Sequence, residues 1–183
     1  MRFNRHAAPN RRLCLTYFVR KLKDKMDKDI VSEAHEVRSR ILNYSILTEI
    51  ELENFIECYF IDNEEKKGKF KEFILSEEFF TFEEKIKIFG KIIKEKSFKI
   101  VDEFHKEYDL KDKEELIRKI RYIQEIRNAI AHNHPFRNEK TNEITLKYKH
   151  EKKNKEITLN NDFNKEFFNL YHKIFLLLHF KLK

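Results

Sequence analysis

The stretch Asp112-Lys-Glu-Glu-Leu-Ile-Arg-Lys-Ile-Arg-Tyr-Ile-Gln-Glu-Ile-Arg-Asn-Ala-Ile-Ala-His-Asn-His-Pro135 decides how the rest of the chain reads. Leu116, Ile120, Ile123, Arg127 and Ile130 share one stripe at helical spacing, and Asp112 with Glu115 supplies a capping signature ahead of them. Pro135 disfavours helix in the residue before it, so this helix is expected to stop around His132 to His134. The stripe therefore carries an arginine in line with its core residues. An unpaired buried charge costs several kcal/mol, so that arginine needs an anionic partner.

Upstream, Thr81 with Glu84 is a capping box, and Phe82, Ile86, Phe89 and Ile93 then fall on one helical face. Phe98 to Tyr108 is expected to continue that helix or to form a separate piece. Before it, Ile30 to about Phe60 reads as one long amphipathic helix, with Ile41, Leu42, Ile46, Leu47, Ile50, Phe55, Ile56, Tyr59 and Phe60 at helical spacing. Asn63 to Lys69, with Gly68, is expected to break it, and Phe70 to Leu75 to make a short helix or turn. Downstream, Ile144, Leu146 and Tyr148 alternate with Thr145, Lys147 and Lys149, and Ile157 and Leu159 flank Thr158, which predicts a hairpin at about 143–160. Asp162 is the expected N-cap of a last helix buried by Phe163, Phe167, Leu170, Tyr171, Ile174, Leu177 and Leu178. The expected fold is all-α: an antiparallel bundle of four to five helices over residues 26–183, with a small β-hairpin inserted before the last helix.

Composition agrees with long helices. The 183 residues contain two Gly and two Pro, which leaves little material for tight turns or left-handed positions. The longest apolar run, Ile174 to Leu178, is far short of a membrane span. Cys14 and Cys58 have no metal spacing and form no disulfide framework, so a reducing, cytoplasmic compartment fits. The net charge of +7 is unevenly spread. Residues 1–25 hold eight basic groups against Asp24 alone, while residues 26–183 hold 31 of each sign. Residues 1–25 are expected to be a basic tail outside the folded domain, with Met26 opening a plausible N-terminus where the charge character changes. Inside the body, residues 126–183 carry 12 basic and 6 acidic groups, so the C-terminal third is the basic end of the domain.

The chain has no Gly-rich phosphate loop, no Cys/His metal spacing and no nucleophile elbow, so most enzyme classes lack their signature, and neither metal nor cofactor is expected. One stretch keeps chemical interest: Glu125 to His134. Arg127 is aimed along the packing face, where Glu49, between Ile46 and Leu52 of the first helix, is an available salt-bridge partner. Asn128 and His132 are four apart and share a face. Arg127 and His132 are five apart, a net of about 140° around the axis, so they converge only if the last turn unwinds or a second chain completes the site. Asn133 and His134 could assist or merely cap the helix. The Phe stripes Phe79 to Phe82 and Phe163 to Phe180 read as core, and His172 with His179 lacks further ligands for a metal. Lys147, Lys149, Lys152, Lys153 and Lys155 on the hairpin read either as phosphate contacts or as a solvated edge.

Arg127-Asn128-Ala-Ile-Ala-His132 resembles the R-x4-6-H motif of the HEPN superfamily, with the usual polar residue directly after the arginine. The setting is similar too, a helical bundle with the motif at the end of a long helix and a closing helix after it, over about residues 30–180. The resemblance implies a bundle of HEPN type and a metal-independent endoribonuclease with a toxin or antiphage role. It also implies a homodimer with its cleft at the dimer interface, and a nucleotidyltransferase-type antitoxin as a partner. Carried over by position, Arg127 would stabilise the scissile phosphate, His132 would act as general base or acid at the ribose 2′-hydroxyl, and Asn128 would position the site. The chemistry is coherent, because RNA supplies its own nucleophile and imidazole titrates at about pH 6.5. The superfamily also contains members that bind a nucleotide, RNA or a protein without cleaving, which is the competing expectation.

Overall fold

The computed structural model describes residues 11–75, 77, 80–95, 109–150 and 153–179. The first helix, α1, spans Arg11–Phe60, a stretch free of Gly and Pro. It starts well before Ile30, so residues 11–25, expected as part of a basic tail, are helical backbone. Val37, Ile41, Leu52, Phe55 and Ile56 form its buried face. Ser45 and Thr48 are also buried, and each satisfies its hydroxyl by donating to the carbonyl four residues back, Ile41 at 2.8 Å and Tyr44 at 2.9 Å. Ile46, Ile50, Tyr59 and Phe60, counted with the apolar stripe on spacing alone, are exposed.

The helix ends at Phe60, and Asn63 opens α2 (Glu64–Phe70) by accepting the Lys66 N–H at 3.1 Å. Gly68 therefore lies within a helix, and the break falls ahead of it. A π-helical turn, Lys71–Leu75, buries Leu75. Thr81 caps α3 (Phe82–Lys94) through the Glu84 N–H at 3.3 Å, and Phe82, Ile86, Phe89 and Ile93 are all buried, as the stripe predicts. The piece expected at Phe98 to Tyr108 lies outside the described residues.

The next helix, α4, runs Leu110–His132 and is capped by Asp109, which accepts the Asp112 N–H at 2.8 Å. The cap sits three residues earlier than expected, because Asp112 itself belongs to the first turn. Leu116, Ile120, Ile123 and Ile130 are buried, and the helix stops at His132 as Pro135 requires.

Among the described residues there are three strands rather than two: β1 (Phe136–Arg137), β2 (Ile144–His150) and β3 (Lys153–Thr158) form an antiparallel sheet in the order β1-β2-β3. Leu146 pairs with Ile157 and Tyr148 with Lys155. Between β1 and β2, Asn142 takes φ 62, the left-handed position that glycine would otherwise fill, and its side chain accepts from Arg137 Nε at 2.8 Å. The last helix, α5, spans Asn161–His179, with Phe167, Tyr171, Ile174 and Leu178 buried. Its first turn is capped by Asn160, which accepts the Phe163 N–H at 2.9 Å, and not by Asp162, which sits inside that turn.

Helix α1 packs against α3, α4 and α5, α3 packs against α4, and β2 lies on α4. The molecule is thus a mainly helical bundle with a small antiparallel sheet, and the sheet covers the flank of the helix that carries the Arg127 to His132 motif. No helix among the described residues is long and apolar enough to cross a membrane.

Candidate functional site

The α4 stripe brings Arg127 to α1, where its guanidinium lies 3.9 Å from Glu49 Oε2. The salt-bridge partner expected from spacing is therefore the one found, at long range, and the Arg127 side chain keeps 38% of its surface exposed. Glu49 is already engaged through its other oxygen. Lys85 of α3 donates to Glu49 Oε1 at 2.8 Å and to Glu53 Oε1 at 2.6 Å, with its own side chain only 6% exposed. Lys71 lies 3.8 Å from Glu53 Oε2. An alternating chain of charge, Lys71, Glu53, Lys85, Glu49, Arg127, thus runs from the π-helical turn across α1 and α3 to α4. Burial pushes the Lys85 ammonium toward neutrality, but Glu49 and Glu53 outweigh it and hold its pKa above the ordinary lysine value. Sequence reading missed Lys85. Its signal was present, since Lys85 stands three residues after Phe82 and four before Phe89, inside an apolar stripe as Arg127 does.

His132 lies in the last turn of α4 and is exposed, as is His134 beyond it. Asn133 is the C-cap: its backbone N–H and side-chain Nδ2 both donate to Ala129 O, at 3.1 and 2.8 Å. That occupies Asn133 with ending the helix. Asn128 is exposed, and among the described residues no hydrogen bond or ion pair engages its side chain or that of His132. It lines a cleft of about 580 Å³ between α4 and β2, together with Arg121, Gln124, Glu125, Tyr148 and Lys149. Arg127 is not on that lining. The structure brings Asn128 to the cleft and Arg127 to α1, so the two neighbours in sequence serve different faces of α4.

The acids of the cleft have partners. Gln124, in the amide orientation that satisfies both of its ends, donates to Glu83 Oε2 at 3.0 Å and accepts the Glu83 N–H at 3.1 Å. Arg121 lies 3.6 Å from Glu83 Oε1 with half of its side chain exposed, at 50%. Glu125 accepts from Lys155 Nζ at 2.9 Å. Burial first, then the Glu125 carboxylate, pushes the Tyr148 phenol well above the ordinary tyrosine value.

The hairpin lysines divide by role. Lys155 faces α4 and is spent on Glu125. Lys147 stands 4.6 Å from the centre of the Phe136 ring, in cation–π contact, and pairs in register with Glu156. Lys149 is exposed at the cleft and Lys153 is exposed on β3, while Lys152 lies outside the described residues. Among the described residues no group of three His, Cys, Asp or Glu side chains is placed to hold a metal ion. No family model, no curated protein and no solved structure matches this chain.

Proposed function

We propose that the chain is a metal-independent endoribonuclease of the HEPN type, acting in the cytoplasm as a homodimer with a toxin or antiphage role and opposed by a nucleotidyltransferase-type antitoxin. The observation that supports it is the state of the Arg127-Asn128-Ala-Ile-Ala-His132 segment at the end of α4: Arg127 is partly in solvent on a single long ion pair, and His132 is exposed with no competing bond. In this reading Arg127 steadies the charge that develops on the scissile phosphate, His132 moves a proton at the 2′-hydroxyl or the leaving oxygen, and Asn128 positions the site. The 2′-hydroxyl is the nucleophile and a 2′,3′-cyclic phosphate the product, so the step needs neither water nor metal. Because Arg127 and His132 stand about 140° apart on α4, a two-fold pairing of α4 ends is the arrangement that sets one protomer's arginine beside its partner's histidine.

The test is incubation of the purified protein with single-stranded RNA in EDTA, followed by analysis of the ends. Cyclic phosphate termini are expected, with a loss of about 10²- to 10⁴-fold in His132→Ala and in Arg127→Ala. Undiminished cleavage by His132→Ala overturns the assignment. A second reading, a non-catalytic binding module of the same fold, is favoured by the hold that Glu49 has on Arg127. It predicts that Arg127→Ala lowers thermal stability and that the parent protein cleaves no RNA under any condition.

A further inference from the structure

The cleft beside the motif has the chemistry of a nucleotide site, and its basic groups, Arg121 and Lys149, lie outside the motif. On a helix advancing 100° per residue, Arg121, Asn128 and His132 fall within about 40° of one another, one row on the outer side of α4. Lys149 of β2 closes the opposite wall. Each acid of the cleft has a partner, Glu83 the Gln124 amide and, at 3.6 Å, Arg121, and Glu125 the Lys155 ammonium. The basic groups are not used up to the same degree. Arg121 is half exposed and 3.6 Å from its acid, beyond hydrogen-bond length, while Lys149 is exposed and its cross-strand neighbour is the neutral Asn154. The Asn128 amide supplies a donor and an acceptor together, which is what a base edge requires. A volume of about 580 Å³ lies within the range of small-molecule sites.

We propose that this cleft is a single-stranded RNA subsite in which Arg121 and Lys149 hold a phosphate and Asn128 reads the base, delivering the neighbouring phosphodiester to the His132 end of α4. The inference rests on the ribonuclease reading for its substrate class but not for its geometry. An acidic peptide shares the phosphate-binding groups and has no use for the base-reading amide, so it is the alternative that the experiment separates.

The experiment titrates the full chain with a short 2′-O-methyl oligoribonucleotide, which has no free 2′-hydroxyl and is not cleaved, and reads fluorescence anisotropy at two salt concentrations. Arg121→Gln and Lys149→Gln are each expected to weaken binding about tenfold and to flatten the salt dependence, and Asn128→Ala to weaken it with the salt dependence kept. Both basic residues are exposed, so melting temperatures should stay near that of the parent, and they are measured alongside. Parental binding by the Arg121→Gln/Lys149→Gln double variant overturns the proposal, as does a parent that ignores the oligonucleotide but binds a polyglutamate peptide through Arg121 and Lys149. If the parent cleaves RNA and the double variant does so with KM unchanged, the subsite fails and the ribonuclease reading stands. If the oligonucleotide binds through these residues and no RNA is cleaved, the subsite stands and the ribonuclease reading fails.

Discussion

Lys85 governs how Arg127 is held. Its ammonium is almost fully buried between Glu49 and Glu53, so it occupies one oxygen of Glu49 at 2.8 Å and leaves the other for a guanidinium 3.9 Å away. Removing the cation while keeping the bulk, in Lys85→Met, leaves two carboxylates side by side in a largely buried place, and breaking such a pair from one side costs about 3 kcal/mol. Urea unfolding of Lys85→Met should show that loss with an unchanged slope. Glu49→Gln is the milder change, since Lys85 retains Glu53 and the new amide retains a hydrogen-bond acceptor, so the cost should be about 1 kcal/mol. Equal destabilisation by the two substitutions contradicts this division of roles. The pairing of Arg127 was legible from the chain alone, because a charge within an apolar stripe demands a partner and Glu49 was in reach. The outer row of Arg121, Asn128 and His132 was only half legible. Helix geometry groups the three, but nothing in local spacing puts Lys149, from a strand beyond the turn, across from them.

Among the elements, those with a strong period were the easiest to read. The apolar stripes of α3 and α4 hold the buried residues that their spacing predicts, and that of α5 buries Phe167, Tyr171, Ile174 and Leu178 while Phe163, Leu170 and Leu177 are only partly covered, because each helix has one apolar face against a charged back. Their starts shifted where two acceptors competed for the cap: Asp109 took the role expected of Asp112, and Asn160 that expected of Asp162. The two-residue strand β1 is too short to show alternation, and the segment before Ile30 is too densely charged to show a stripe, so neither was visible as an element. Contact between elements turns on Gly90 of α3, where an added Cβ would lie 3.2 Å from Ile117 Cδ1 of α4. That methyl is the flexible end of its side chain and can give by a few tenths of an ångström, while alanine gains helix propensity of about 1 kcal/mol over glycine. Gly90→Ala is therefore expected to change stability by less than about 1 kcal/mol. Gly90→Val, with two methyls directed at Ile117, is expected to cost about 2 kcal/mol or more by overpacking. Thermal denaturation of the pair checks both, and a valine variant as stable as the parent means that α3 and α4 are not packed closely there.

In the whole molecule the sheet docks on α4 through Lys155, bonded to Glu125, and through the buried Tyr148, whose phenol is shifted by burial and by the same carboxylate. The Tyr148 pKa is raised in the folded state, so the folded protein holds that proton more tightly than the unfolded chain does. The stabilisation is complete below about pH 10, the ordinary tyrosine value, and is lost as pH rises from there toward the folded value. Lys85, also raised, contributes with the same sign. Melting temperature should accordingly fall from about pH 10 upward, and Tyr148→Phe should fall less steeply over the same window; parallel curves count against the role given to Tyr148. Assembly has its own consequence. If a two-fold pairing completes the catalytic site, each cleft takes Arg127 from one protomer and His132 from the other. A dimer of one Arg127→Ala chain and one His132→Ala chain then holds one intact site and one doubly damaged site. Random reassortment of the two inactive proteins makes about half of the dimers mixed, so about a quarter of parental ribonuclease activity should return on mixing. Activity that stays at the level of the separate variants, with subunit exchange confirmed by a labelled chain, means that each site is built within one protomer and that the last turn of α4 must unwind to bring Arg127 and His132 together.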